Sequence, residues 1–273
     1  MFLRVLIGCV FLIRTASFTD FDIDPYFHKL AEFNFTPQVG GRLYDNVSHL
    51  KSEKKYSSKD VLVDFNLGVR CLPEVDVQAE LDFSRTHRLN FGLQRVGAQA
   101  RYQLLDDIGG DPVSLILGGQ FFYVPTRNMR DVSSPYHGQT NLEAGVSVGK
   151  EWSLNLTYVA RLWGFVGMGQ ANRGLPWIKS QLHLDTKCFL GRIFLYGKGY
   201  FGLGNTKEIN LARFDNGYGN IEHRSVDLGI KYLAKIGVWG DLTLGYQYRI
   251  WAYAFPEKTT IFYLAYRYPF SVL

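Results

Sequence analysis

The chain has 273 residues, of which 47% are apolar and 20% are charged, and its formal net charge at pH 7 is +5. This composition excludes an intrinsically disordered chain and, with only three cysteines, a small disulfide-stapled domain. Aromatic residues make up 15% of the chain although its mean hydropathy is only −0.08, and beyond the N-terminus no apolar run approaches the roughly 20 residues of a membrane-spanning helix.

The N-terminus has the pattern of a secretory signal peptide. Arg4 supplies a basic charge, Val5–Ile13 form a short apolar core, and small residues follow at which a peptidase could cut. We therefore predict a signal peptide over residues 1–17 and a single domain over residues 18–273. The alternatives are a lipoprotein signal that ends at Cys9 and an ordinary N-terminal strand or helix.

From residue 60 onward apolar and polar side chains alternate, which is the pattern of β-strands with one apolar and one polar face. In the run Val61–Val69, for example, the odd positions are apolar, whereas Asp64 and Asn66 occupy even positions. With an earlier run near the N-terminus, the pattern predicts about twelve strands. They lie at about 29–36, 61–69, 75–84, 89–104, 113–124, 140–149, 152–163, 177–188, 192–203, 224–236, 239–252 and 259–270.

The lengths of these strands and of their links favour a transmembrane barrel. Strands of soluble proteins average about 5–6 residues, whereas a tilted membrane-spanning strand needs about 9–11. Short links such as 72–74 and 237–238 alternate with longer ones such as 125–139 and 204–223, as in a barrel with turns at one rim and loops at the other. We predict an all-β fold, a transmembrane antiparallel β-barrel of about 12 strands with both termini in the periplasm. A soluble secreted β protein and a mitochondrial porin are the alternatives.

The last strand carries the most specific pattern of the chain. Large apolar or aromatic residues occupy every second position, namely Phe262, Leu264, Tyr266, Tyr268 and Phe270. In this the chain resembles bacterial outer-membrane β-barrels of the porin-like class, whose final strand closes the barrel and ends in an aromatic residue. The resemblance implies location in the outer membrane of a Gram-negative bacterium, contact with outer-membrane lipid and lipopolysaccharide, and insertion by the barrel-insertion machinery.

If the apolar phase of each strand faces lipid, the opposite phase lines the lumen. The second and third strands then present an acidic wall, and the later strands a mostly basic one. A basic excess favours anions, so the sequence predicts a channel for passive diffusion of small anionic solutes. The alternative is that these charges pair across a filled interior that conducts nothing. The predicted lumen-lining residues that set selectivity are Asp64, Asp76, Glu80, Asp82, Arg161, Lys187, Lys231, Lys235, Arg249 and Arg267.

A hydrolase on a barrel platform is a weaker hypothesis. Ser180, His183 and Asp185 lie close together in one strand, and a histidine beside a carboxylate can act as an oriented general base. Ser180 has the opposite strand phase from the other two, so it points away from them. We therefore predict no catalytic residues, no bound metal and no cofactor.

Surface recognition is the remaining hypothesis. Two long links carry bases and aromatic rings that could bind lipopolysaccharide phosphates or another polyanion outside the cell, as an adhesin would. These residues are Lys51, Lys54, Lys55, Lys59, Lys207, Arg213, Phe214, Tyr218 and Arg224. Nucleic acid is not indicated, because the basic charge is dispersed and no phosphate-binding glycine motif precedes a helix. The sequence does not fix an oligomeric state.

Overall fold

The computed structural model describes residues 23–51, 55–154, 157–188 and 191–271, and these form a closed barrel of twelve antiparallel strands. The predicted signal peptide, 1–17, lies outside the described residues. The strands are β1 (Phe33–Tyr44), β2 (Ser58–Leu72), β3 (Val75–Arg85), β4 (Gly92–Leu105), β5 (Ser114–Tyr123), β6 (Thr140–Leu154), β7 (Thr157–Ala171), β8 (Trp177–Cys188), β9 (Gly191–Gly202), β10 (Arg224–Lys235), β11 (Asp241–Tyr253) and β12 (Thr260–Phe270).

Each strand pairs with its neighbours in sequence, and β1 closes the ring by pairing with both β2 and β12. The predicted fold class and strand number are therefore confirmed. Within the described ranges the helical elements are three short 3₁₀ turns, and none is long or apolar enough to cross a membrane.

The alternation of the sequence becomes an outer apolar face and an inner polar one. On β2, for example, Phe65 and Leu67 are exposed on the outside while Asp64 is buried inside. Large side chains that are at least 40% exposed continue this outer face around the barrel. They include Leu67, Leu81, Leu117, Phe121, Leu142, Val166, Leu182, Leu195, Leu228 and Leu244. An apolar outer face of this kind suits a lipid environment.

Two strand boundaries differ from the prediction. The first strand begins at Phe33 and continues through Pro37 to Tyr44, whereas the sequence predicted a strand that ended before this proline. The register explains why Pro37 is tolerated: toward β2 the pairing runs unbroken, but toward β12 it skips Thr36 and Pro37. Proline has no N–H to donate, so it sits where one side of the strand has no ladder bond to lose.

The second difference concerns β6 and β7, which are longer than predicted. β6 continues to Leu154 and β7 continues to Ala171, so the turn between them lies beyond the predicted link near Gly149.

The three longest links, 45–57, 124–139 and 203–223, share one end of the barrel, as predicted. Three further links at that end, 86–91, 172–176 and 254–259, are shorter than link 106–113 at the other end, so length alone does not separate the two ends. One end of the barrel, here called the turn end, carries the connections 73–74, 106–113 and 236–240, and β6 and β8 end on the same side. The opposite end, called the loop end, carries the six remaining connections, 45–57, 86–91, 124–139, 172–176, 203–223 and 254–259.

Aromatic rings fill much of the interior by lying over glycines of neighbouring strands. A Cβ atom at Gly169 would come within 2.1 Å of Trp177 Cε2, one at Gly229 within 2.1 Å of Tyr196 Cζ, and one at Gly245 within 2.1 Å of Tyr263 Cε1. These glycines give the rings the space in which to lie flat against the barrel wall. The lumen is therefore partly packed rather than an open tube.

This packing predicts that Gly169→Ala destabilises the barrel. Trp177 is 1% exposed, its indole stacks on His137 at 3.9 Å, and its Nε1 donates to Glu143, so it cannot move aside for a methyl group. We expect a loss of about 1–3 kcal/mol in the free energy of unfolding, as for overpacked cores. Urea titration of the refolded protein in detergent measures it.

Gly119→Ala is the matched control, because Gly119 lies on the outer face of β5 and its nearest neighbour would be 3.6 Å from the new Cβ. Equal stability losses in the two variants would contradict the packing argument.

Candidate functional site in the barrel lumen

The ten predicted lumen residues lie on the inner phase of their strands. Asp64, Asp76, Glu80 and Asp82 are buried, each 4% exposed or less. Arg161, Lys231, Arg249 and Arg267 are partly buried, and Lys187 and Lys235 are exposed near the turn end. Their role in selectivity remains a prediction, but their placement makes the lumen the candidate site. On β9, Tyr196, Lys198 and Tyr200 share the inner phase.

The acidic wall is neutralised by arginines that sequence reasoning missed. Arg95 on β4 forms ion pairs with Asp82 and, at 2.8 Å, with Glu80. Arg101 on the same strand binds Asp76 at 2.7 Å. The bases that neutralise these acids thus come from the neighbouring strand β4. The signal was present in the sequence, since Arg95 and Arg101 alternate with apolar residues of β4.

The basic wall is paired as well. Arg249 Nε and Nη2 donate to the two carboxylate oxygens of Asp227 at 2.7 and 2.9 Å, and Lys179 Nζ lies 2.8 Å from Glu143 Oε1. Further pairs lie toward the turn end of the lumen. They are Arg161–Glu151, Arg192–Asp185 and Arg267–Asp241. Each of these five cations is thus held in place by a carboxylate on a nearby strand.

A cavity that is partly open to solvent occupies the loop-end half of the lumen. Its polar wall contains more cations than carboxylates, and four aromatic rings complete it. The charged lining residues are Arg42, Arg95, Lys179, Lys198, Arg249, Glu143 and Asp227. The aromatic ones are Phe122, Tyr136, Tyr200 and Phe255.

A segment that precedes β1 lies inside the turn end of the barrel. Ile23 is fully buried against Ile116, Trp163 and Phe165. The Phe27 ring lies between two guanidinium groups, 5.3 Å from Arg70 Cζ and 5.0 Å from Arg101 Cζ. This segment, residues 23–28, reaches across the lumen from β5–β7 to β12, where His28 receives a hydrogen bond from Arg267. We call it the lumen segment.

The long links fold over the opposite end and form a cap. The phenol of Tyr218 donates to the Val132 carbonyl at 2.7 Å, which joins links 203–223 and 124–139. A hydrophobic cluster holds the cap together, and its buried members are Tyr44, Val47, Val132, Ile209, Phe214, Tyr218, Ile221, Ala254 and Phe255. Phe214 and Tyr218 were predicted as surface-recognition residues, but they are 5% and 0% exposed and belong to this cluster. Lys51, Lys55, Lys59, Lys207, Arg213 and Arg224 are exposed as predicted, and Lys54 lies outside the described residues.

A buried chain of hydrogen bonds ties the cap to the barrel. Tyr200 Oη contacts the Pro135 carbonyl and His137 Nδ1, each at 3.1 Å, and His137 Nε2 lies 2.8 Å from His223 Nε2. The chain is complete with both imidazoles neutral: His223 donates to His137, His137 donates to Tyr200, and Tyr200 donates to the carbonyl. Burial, together with the neighbouring Arg249 and Lys179 charges, lowers the pKa of His223 to about 3. Burial also lowers the pKa of His137, aided by His223 and Lys179.

The candidate hydrolase residues do not assemble into a catalytic site. Ser180 points to the outer face of β8. His183 is stacked on Trp163 at 3.8 Å and hydrogen-bonds Gln181, while Asp185 pairs with Arg192 at 2.9 Å. Within the described part of the chain, this histidine and its neighbours serve lumen packing.

Comparison with known proteins identifies the fold. No protein-family model and no curated protein matches the chain. Among solved structures, the chain is similar to the COG4313 outer membrane channel from Pseudomonas putida F1, with a TM-score of 0.60 and 10% identity over 91% of this chain and 100% of that one. It is also similar to the translocator domain of the autotransporter NalP from Neisseria meningitidis, with a TM-score of 0.51 and 10% identity over 90% of both chains. A third similar structure is the NanC porin, with a TM-score of 0.50 and 7% identity over 87% of this chain and 97% of that one.

At these identities the likeness concerns the fold. That fold is the one of bacterial outer-membrane β-barrels, and it agrees with the closed ring and the apolar outer face described above. The sequence prediction of an outer-membrane β-barrel is confirmed at this level. Outer-membrane lipid and lipopolysaccharide are the surroundings that such a barrel implies.

The neutral histidine pair predicts that the cap loses stability in acid. Unfolded histidines take up protons below their ordinary pKa of 6.5, whereas the buried pair does so only near pH 3 for His223. Stability from the pair is therefore present above pH 6.5 and falls as the pH drops toward 3. At about 1.4 kcal/mol per pH unit, His223 alone accounts for a loss of about 2 kcal/mol by pH 5. Amide hydrogen exchange in links 124–139 and 203–223, followed as the pH is lowered, measures this loss of stability.

His223→Gln should weaken the cap at pH 7 and flatten this pH dependence, because Gln does not titrate. His87→Gln, in another loop-end link, should leave the slope unchanged. A slope that survived in the His223 variant would contradict the assignment.

The lumen segment predicts a second effect, on ion flow. The double variant Tyr26→Ala with Phe27→Ala removes two rings that lie against Arg161, Arg70 and Arg101 inside the turn end. We expect a larger single-channel conductance in planar bilayers, since the lumen segment loses its two largest side chains. Leu30→Ala, at a residue 54% exposed, is the control. An unchanged conductance in the double variant would show that ions take another path.

Proposed function

We propose that the protein is an outer-membrane channel for passive diffusion of small anionic solutes. In this proposal the loop end faces the outside of the cell and the turn end faces the periplasm, as in barrels with short periplasmic turns. The closed barrel and its apolar outer face supply the membrane-spanning frame, and the lumen supplies the selectivity.

The observation that carries the proposal is the layered arrangement of charge around the cavity. Arg42 and Arg95 face the cavity, whereas the acids that bind them, Asp60 for Arg42 and Asp82 with Glu80 for Arg95, are not among its lining residues. The carboxylates fix the cations from behind. A solute in the cavity therefore meets the positive ends of these pairs first, which favours an anion.

Lysines strengthen this field on the opposite wall. Lys198 lines the cavity from β9, and Lys231 lies on the next strand with its Nζ 4.9 Å from the centre of the Tyr196 ring. The cap and the lumen segment control access from the two ends. Passage requires solute to move past both, so we expect slow, selective flow rather than the free diffusion of a wide porin.

Charge reversal tests the proposal. We expect the double variant Lys198→Glu with Lys231→Glu to shift the reversal potential toward cations in a planar bilayer under a KCl gradient, because two positive groups of the lumen become negative. Lys59→Glu makes a comparable change on the outer face of β2 and should leave the selectivity as it is. Anion selectivity that persisted in the double variant would contradict a role for these lysines.

A surface-recognition function is the second candidate, and the cap favours it. The loop end is closed by a buried aromatic cluster and presents exposed bases, among them Lys51, Lys207 and Arg213. A folded barrel that conducted no ions and yet bound lipopolysaccharide or another polyanion through these bases would favour recognition over transport.

A further inference from the structure

We infer that the loop-end cavity binds a carboxylic acid whose carboxylate is attached to an aromatic ring. The inference rests on the proposed function in that the bound molecule is the solute of the channel. It begins from the lining of the cavity, where cations and aromatic rings are juxtaposed three times.

The three juxtapositions involve different strands. Lys179 Nζ lies 5.2 Å from the centre of the Tyr200 ring, Arg249 Cζ 4.5 Å from the Phe255 ring, and Arg95 Cζ 5.3 Å from the Phe122 ring. All six residues line the same cavity. A molecule that enters it meets positive charge and an aromatic face within one molecular diameter.

The rings are fixed in position rather than mobile. Phe122 and Phe255 are each 3% exposed, Phe122 packs on Tyr136 at 5.9 Å, and Tyr200 packs edge-on against Phe255 at 6.0 Å. Pro135, Pro256 and Ile261 add further apolar lining. A rigid apolar wall of this kind has little to offer a small hydrated anion, whereas a flat ring can stack against it.

Cations also lie in a row across three strands. In the register of the sheet, Lys198 on β9 lies opposite Asp227 on β10, and Asp227 lies opposite Arg249 on β11. The Asp227 carboxylate anchors the guanidinium of Arg249, and Gln247 Nε2 donates to the same carboxylate at 2.8 Å. This row supplies ammonium and guanidinium donors for one carboxylate.

The polarity of the cavity limits the ligand further. Uncharged polar lining is sparse and includes Ser133, Ser225 and Gln247. A polyhydroxylated sugar acid would leave hydroxyl groups against rings, so the lining favours an aromatic acid.

Calorimetric titration of the refolded full-length protein in detergent tests the inference with a series of simple probes. Benzoate carries both the ring and the charge, acetate lacks the ring, benzyl alcohol lacks the charge, and glucuronate replaces the ring with a hydroxylated one. We expect benzoate to bind at least about tenfold more tightly than each of the others, because a buried ring and a charge-assisted hydrogen bond each contribute more than about 1.4 kcal/mol. Equal binding of acetate or glucuronate would overturn the inference.

Two variants with matched controls locate the site. Phe122→Leu removes a ring from the cavity, and Phe121→Leu makes the same change on the outer face of the same strand, where Phe121 is 51% exposed. Lys198→Gln removes a cavity charge, and Lys59→Gln does so on the outer face of β2. We expect benzoate affinity to fall about fivefold or more in the two cavity variants only, as for loss of one aromatic or one charged contact. Equal affinity in a cavity variant and its control would overturn the inference.

Conductance of the same preparations separates this inference from the channel proposal. Benzoate binding without ion conductance would support the site and overturn the channel. Ion conductance with no preference for benzoate over acetate in the titrations would leave the channel and overturn the site.

Discussion

The interior of this barrel is organised by one electrostatic constraint. Every second residue of twelve strands points into a lumen that is shielded from bulk water, and a charge placed there is costly unless a counter-charge holds it. The chain meets this constraint with ion pairs between neighbouring strands, such as Arg95 with Asp82 and Arg101 with Asp76. For Arg42 and Arg95 the side that faces the cavity is the cation, whereas Glu143 and Asp227 line the cavity together with the cations that they bind. The selectivity proposed for the lumen is thus a by-product of how its charges are neutralised.

Aromatic rings fill much of the lumen that the ion pairs leave. Trp177, Tyr196 and Tyr263 each lie over a glycine of a neighbouring strand, so a large ring on one strand faces a residue without a side chain on the next. This packing narrows the passage without adding charge. Together with the lumen segment at one end and the cap at the other, it leaves the loop-end cavity, in which rings and cations line the same space.

The strand alternation was enough to predict the twelve-strand barrel and the inward placement of Asp64, Asp76, Glu80 and Asp82, because a period of two is a local property of the sequence. It was not enough to predict their partners, since pairing depends on the register between strands. The register between β3 and β4, for example, shifts between Asp82 and Phe83. The strand alternation did not predict the cap either. Links have no period, so nothing in the sequence distinguished Phe214 and Tyr218, which are buried, from the exposed bases beside them.

The seam between β1 and β12 has a consequence for the order in which the molecule is built. Its paired residues, such as Phe33 and Phe270, are the most distant in sequence of all the strand contacts, whereas every other pair of described barrel strands joins strands that are consecutive in sequence. Contacts of large sequence separation carry the greatest loop-closure entropy and form late. The register of the seam also skips Thr36 and Pro37, so its ladder is interrupted there. We therefore expect closure of the ring to follow alignment of the other strands, and the stacked rings of Phe33 and Phe270, 5.4 Å apart, then help to hold the joint.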